Sequence, residues 1–235
     1  MSRPEDLQKE LRHILASLKA YVESQQLSGI KFFYCPPSSE PPQPREQVHK
    51  KSDLLLNVRS ELGDCRRCAL CSGRKNIVFG EGDPESRLMF VGGAPDAEDD
   101  EQGRPCAGEA GQLLTRIISA IKLKSSQVYI TTIVKCRPPE SSAPADDAIQ
   151  ACLPFLKKQI DIITPHIICA LGDIAVQALL GKDGEIPELR GKFHRLGDIL
   201  VMPTYHPSYL LRHEDKKKET WKDMQMVQRE YFQGL

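Results

Sequence analysis

The sequence has no excess of charge of either sign: Lys plus Arg and Asp plus Glu each number 32 among 235 residues. This excludes a global positive field that would draw the whole molecule to nucleic acid, so any phosphate contact has to come from local patches. A long apolar run is missing as well. The opening stretch from Met1 to Tyr21 carries charges throughout and holds neither the apolar core of a signal peptide nor a membrane span. The expectation is a cytoplasmic protein with no membrane partner. At 235 residues there is little room for two full domains, whereas one α/β domain with an appendage fits and can bury a sizeable core. The hydrophobic fraction of 40% and the charged fraction of 27% are ordinary for a globular chain and name no function.

Cysteine, in contrast, is plentiful, with eight residues: Cys35, Cys65, Cys68, Cys71, Cys106, Cys136, Cys152 and Cys169. In a reducing compartment disulfides do not persist, so clustered cysteines point to metal binding or catalysis. Cys65-Arg66-Arg67-Cys68 places two thiolates at the spacing that lets one turn of chain offer both to a single centre. Cys136 and Cys152 form a second pair, separated by fifteen residues, around a Pro-rich loop and the start of a helix. Four thiolates suffice for zinc or for a [4Fe-4S] cluster, and spacing does not choose between them. Cys71 is a rival ligand, while Cys35 and Cys169 read as linker and strand filler.

The chain divides by composition. Leu7, Leu11, Ile14, Leu15, Leu18 and Tyr21 recur at helical spacing, which predicts an amphipathic helix within an N-terminal extension over 1–34. Residues 35–51 are Pro-rich and read as a linker, because proline has no backbone donor for helix or sheet. The domain proper is expected over 52–235, beginning with a helix at 52–62. From there short apolar runs alternate with helical stretches. Strands are expected at 88–91, 128–134, 167–171 and 199–202, and helices at 109–122, 146–163, 173–180 and 217–232. The fold class this implies is α/β, a three-layer α/β/α sandwich around a central four-stranded parallel sheet. In such sheets ligands bind beyond the carboxyl ends of the strands, which directs attention to the loops after residues 91, 134 and 202.

Specific blocks of residues carry a family resemblance. Cys65-x2-Cys68-x-Leu70, Phe79-Gly80-Glu81-Gly82 and Leu88-Met89-Phe90-Val91-Gly92 are followed by Gln102-Gly103-Arg104-Pro105, Gly108-x2-Gly111-Gln112-Leu113-Leu114 and Val128-Tyr129-Ile130-Thr131. Val134-Lys135-Cys136-Arg137-Pro138-Pro139, Cys152, Leu171-Gly172, Arg190-Gly191-Lys192 and His206-Pro207-Ser208-Tyr209-Leu210-Leu211-Arg212 complete the series. In order and content these resemble the family 4 uracil-DNA glycosylases over roughly residues 60–232. The resemblance implies a DNA repair glycosylase that flips uracil, or a related deaminated base, out of single- or double-stranded DNA and hydrolyses its N-glycosidic bond, acting as a monomer. A relative that binds DNA or another nucleotide-containing partner without cleaving it is the alternative. It also implies a [4Fe-4S] cluster, held by Cys65, Cys68, Cys136 and Cys152 in a structural role.

A glycosylase has to replace the stacking and pairing that a flipped base gives up, and has to stabilise charge on the departing base. His206 is the expected catalytic donor. The resemblance places Gly92, Gly93, Ala94, Cys106 and Thr132 around the base, and here the chain departs from the family pattern. A glutamate is usual where Gly93 stands, a stacking phenylalanine where Cys106 stands and an asparagine where Thr132 stands. Asp96 is the candidate replacement carboxylate, at the head of the acidic run Glu98-Asp99-Asp100-Glu101. The expected phosphate contacts are Lys135, Arg137, Arg190, Lys192 and Arg212.

Overall fold

The computed structural model describes residues 12–17, 19, 23, 50–139, 142–181 and 184–233. Residues 35–49 of the linker expected over 35–51 and most of the amphipathic repeat lie outside these residues, and Lys51, its last residue, already begins a helix. The chain forms two units, Met1–Gln47 and Val48–Leu235. In the first, residues 12–17 are helical and expose Ile14 and Leu15.

The second unit is built on one sheet of six strands: β1 (Glu81–Gly82), β2 (Leu88–Gly92), β3 (Tyr129–Thr132), β4 (Ile167–Leu171), β5 (His194–Leu196) and β6 (Ile199–Thr204), in spatial order β1-β3-β2-β4-β6-β5. The middle four are mutually parallel, with Phe90 opposite Ile130 on one side and Cys169 on the other. Every residue of β2 and β4 is buried, the pattern of a strand covered on both faces. Two short antiparallel strands border this parallel core, so the sheet is wider than the four strands expected. At two and three residues, β1 and β5 are too short to show an alternation in the sequence. β1 packs so closely on β3 that a side chain at Gly82 (φ +126) would overlap the Val128 carbonyl.

Alternate strand residues separate into two cores. Met89, Val91, Ile168, Ala170 and Val201 face one side. There they meet α1 (Lys51–Leu62), α4 (Asp146–Ile163), α5 (Asp173–Leu180) and α6 (Ile186–Leu189) through Leu55, Leu156, Ile160, Val176 and Ile186. Leu88, Phe90, Ile167, Cys169 and Met202 face the other side, against Leu114 and Ile118 of α3 (Gly108–Ala120) and Met224 and Val227 of α8 (Lys217–Gln233). This is the three-layer arrangement expected from the alternation. Two further helices, α2 (Ala97–Gln102) and α7 (Pro207–Arg212), follow β2 and β6 and frame the end of the sheet. The residues of α2 read from the sequence as a solvated acidic run. They form a helix because Asp96 and Asp99 cap it reciprocally, and because Asp99 and Asp100 turn inward, where they are 5% and 1% exposed.

Candidate active site and cysteine cluster

The loops after β2, β3 and β6 meet at the carboxyl end of the sheet. Gly92 and Gly93 leave β2, and their carbonyls accept from the N–H groups of Ile133 at 2.8 Å and Val134 at 3.1 Å, which ties the first loop to the second. A Cβ placed on Gly92 would lie 3.5 Å from His206 Nε2 and 3.6 Å from Thr132 Cγ2. Bare backbone therefore separates the imidazole edge from the threonine. Ala94, half-buried, packs on the core side of the same loop.

His206 is the N-cap of α7. Its Nδ1 accepts from the Ser208 N–H at 3.2 Å and lies 2.7 Å from Ser208 Oγ. A ring nitrogen that accepts from a backbone N–H carries no proton, so the hydrogen of the neutral ring is on Nε2, the atom that faces Gly92. Burial pushes the imidazole down to about 4, with the Asp96 carboxylate opposing the shift. At neutral pH the ring is an uncharged donor held in place from behind.

Thr132 is buried and its hydroxyl donates to the Val134 carbonyl at 2.7 Å, so its proton is already committed. Asp96 Oδ1 accepts from the N–H groups of Glu98 and Asp99, each at 2.9 Å, which makes it a helix cap. Asp99 returns the contact to the Asp96 N–H at 3.3 Å and accepts from Ala107 N–H at 2.6 Å, fastening the Cys106 loop to α2. Burial raises Asp99 to about 6. Cys106 sits at φ +53, a left-handed conformation that costs a side-chain-bearing residue energy. Its thiol packs against the core of Phe90 and Leu114. Burial, with Asp99, Asp96 and Glu81 nearby, pushes it up to about 12, so it is a neutral filler and no nucleophile.

The cysteines form a second constellation beyond the same loop. Cys65, Cys136 and Cys152 are buried, Cys68 is half-buried, and all four are free thiols. They lie close enough to feel one another's charge: Cys136 responds to Cys152 and Cys68, and Cys152 to Cys68 and Cys65. Arginine donors converge on the sulfurs, Arg74 Nη1 on Cys136 and Arg67 Nη1 on Cys65, both at 3.3 Å. The Lys135 backbone N–H bonds Cys152. Such outer donors are what thiolate ligands of a metal centre require. Among the described residues no three Cys, His, Asp or Glu side chains converge tightly enough for one metal ion. Cys71 lines a separate cavity of about 430 Å³ with Asp64, Arg66 and Arg74.

A profile of the uracil DNA glycosylase superfamily matches residues 79–225. The chain belongs to that superfamily. It is 41% identical over 184 residues to a type-4 uracil-DNA glycosylase of Sulfurisphaera tokodaii, covering 74% of this chain and 84% of the relative. To the type-4 uracil-DNA glycosylase of Thermotoga maritima it is 40% identical over 172 residues, covering 72% of this chain and 90% of the relative. A type-5 uracil-DNA glycosylase of Pyrobaculum aerophilum is 29% identical over 180 residues, covering 66% of this chain and 76% of the relative.

Within this superfamily frame, the basic residues expected to meet phosphates separate into two groups. Lys192 and Arg212 are exposed and available, and Arg137 is half-buried with its Nε enclosed and without a partner among the described residues. Lys135 and Arg190 are not available. Lys135 is 1% exposed, and its ammonium donates to Thr131 Oγ1 at 2.7 Å, the Thr132 carbonyl at 2.7 Å and Gln159 Oε1 at 2.8 Å. Burial lowers it to about 7. Arg190 pairs with the fully buried carboxylate of Asp223 at 2.7 Å and 3.0 Å, and Thr204 donates to the same carboxylate at 2.8 Å. A basic residue next to a motif loop looks alike in sequence whether it turns outward or inward, which is why the sequence alone points to all five. Sequence reasoning also passed over Asp99, although the Asp-x-x-Asp spacing of a capping box was there to be read. Ile174, against which Gly93 packs, carried no signal at all.

Proposed function

We propose that the protein is a DNA repair glycosylase that hydrolyses the N-glycosidic bond of uracil in DNA. The observation that carries this is His206: a neutral imidazole, braced by Ser208, with its Nε2–H presented over the bare backbone of Gly92 at the carboxyl end of a parallel sheet. When the bond from C1′ to the base breaks, the electron pair leaves with the base and negative charge spreads onto its exocyclic carbonyl oxygens. A positioned donor aimed at one of these oxygens stabilises the transition state more than the ground state. The neutral ring already carries the Nε2–H that donates, and the brace at Nδ1 is kept only while that nitrogen is unprotonated. Water adds to C1′ and gives up a proton to the departing base, which completes the hydrolysis. The target nucleotide has to leave the stack to reach the site, and the exposed Lys192 and Arg212 are the side chains placed to hold the backbone while it does so.

Cys65, Cys68, Cys136 and Cys152 would hold a [4Fe-4S] cluster, with Arg67 and Arg74 as donors to the sulfurs. Such a cluster would supply a structural link between the segment at 65–68, the loop after β3 and α4, since the hydrolysis transfers no electrons. The expected working form is a cytoplasmic monomer acting on single- or double-stranded DNA.

The test is base release from oligonucleotides carrying uracil, hypoxanthine or xanthine, single- and double-stranded, using anaerobically purified protein. Uracil release that depends on His206 is the expected result. Binding to uracil-containing DNA with no release from any of these bases would instead identify a non-cleaving relative. Brown protein that loses its colour on Cys136→Ala or Cys152→Ala would support the cluster, and colourless protein holding one equivalent of zinc would refute it.

A further inference from the structure

Gly93 is not a glycine for conformational reasons: it is absent from the residues with positive φ, so any L residue could adopt its backbone geometry. What opposes a side chain there is space. A Cβ at position 93 would lie 3.0 Å from Ile174 Cβ, 3.2 Å from its Cγ2 and 3.3 Å from its Cδ1. All three close atoms belong to one β-branched side chain, whose χ1 has few alternative wells, and Ile174 is anchored in the first turn of α5. It has no long, pliable end that could swing away as a lysine or methionine would.

We infer that Ile174 is a positioning residue of the base pocket: it reserves the volume beside Gly93 and keeps side chains out of the loop that faces His206. Gly93 and Ile174 thus act as one unit. A side chain at 93 fits without strain only when residue 174 is small, and the space beside Gly93 is filled by hydrocarbon as long as isoleucine stands there. Asp96, the nearest carboxylate on the same loop, has its Oδ1 committed to capping α2. The steric half of this inference stands on geometry alone, whereas its effect on catalysis rests on the glycosylase reading above.

A double-mutant cycle and a kinetic comparison test it. In the first, melting temperatures are compared for wild type, Gly93→Ala, Ile174→Ala and the pair. Gly93→Ala should lower the melting temperature by about 5 °C with Ile174 present and have little effect in the Ile174→Ala background, as expected when overpacking is relieved. In the second, single-turnover uracil release is measured for Gly93→Glu with and without Ile174→Ala. The double variant should release uracil at least about tenfold faster than Gly93→Glu alone, the factor that some 1.4 kcal/mol of relieved strain supplies. Its pH–rate profile should also fall more steeply on the acid side than that of Gly93→Gln with Ile174→Ala, because the new carboxylate titrates in addition to His206. An equal fall in melting temperature in both backgrounds would overturn the inference. So would a gain from Gly93→Glu alone that matches the double variant. Coupled melting temperatures with no uracil release from any variant would support the contact while refuting the glycosylase reading.

Discussion

Lys135 and His206 both reach Thr132, one through the Thr132 carbonyl and the other across Gly92, yet they are held in opposite ways. Around Lys135 every described polar atom is used. The ammonium has three internal acceptors, and Gln159 Nε2 donates to the Phe79 carbonyl at 2.9 Å and lies 3.3 Å from Tyr129 Oη. Arg190, Asp223 and Thr204 form a second closed network of the same kind. His206 has one nitrogen fully occupied by Ser208, while its Nε2–H has no protein acceptor among the described residues. A saturated network makes a core unique and rigid, whereas a rigid group with one donor left over is what a reaction can use. Closure separates structure from chemistry here better than burial does, since both residues are enclosed.

Five measurements bear on that contrast, beginning with the largest effect. Arg190→Ala leaves the Asp223 carboxylate buried and unpaired, and should cost on the order of 3–5 kcal/mol in urea unfolding. DNA affinity at moderate salt should change little, and a loss of phosphate contacts with unchanged stability would reverse the assignment. His206→Ala should slow uracil release by roughly a hundredfold to a thousandfold while moving the melting temperature little. A rate unaffected by this change would remove His206 from the mechanism.

Lys135→Met strips the closed network of its donor and should cost about 2 kcal/mol of stability. The slope of DNA affinity against salt concentration should match wild type, because no phosphate contact is lost. The smallest effect concerns pH. Asp99 is raised in the fold, from 3.8 to about 6, so its contribution to stability is present at low pH and is lost as pH rises through that window. Asp99→Asn should flatten the melting temperature between about pH 4 and 6 by a few degrees relative to wild type. His206 has the opposite sign: with its folded value lowered from 6.5 to about 4, stability is kept above 6.5 and lost as pH falls through 4. The acid limb of uracil release should accordingly fall near 4 and not near 6.5.

Much of the fold was legible because buried parallel strands are continuous apolar runs. The strand at 167–171 and the helices at 146–163 and 173–180 coincide with the residues expected. Helices α2 and α7 were missed: they are six residues each and carry almost no period, and α2 in addition looks like a solvated charge run. Of the site, His206, Gly92, Gly93 and Thr132 are brought together at the sheet's carboxyl end, as their motifs suggested. Asp96 is on the same loop but serves as a cap, which its position before an acidic run could equally have signalled.

By itself the sequence determined the order of the four parallel strands and the longer helices, the four cysteines in two spaced pairs and the histidine in its motif, because these depend on residue type and spacing along the chain. Only the tertiary structure decided which cations face inward, which nitrogen of His206 holds its proton and why position 93 is glycine. Each of these is settled by an atom from another segment or turn: Gln159 for Lys135, Asp223 for Arg190, Ile174 for Gly93. Even the tautomer of His206, set by a neighbour two residues away, needs the backbone geometry of a helix N-terminus to bring the Ser208 N–H within reach. Burial and partnership arise only when segments meet, and no local pattern encodes them.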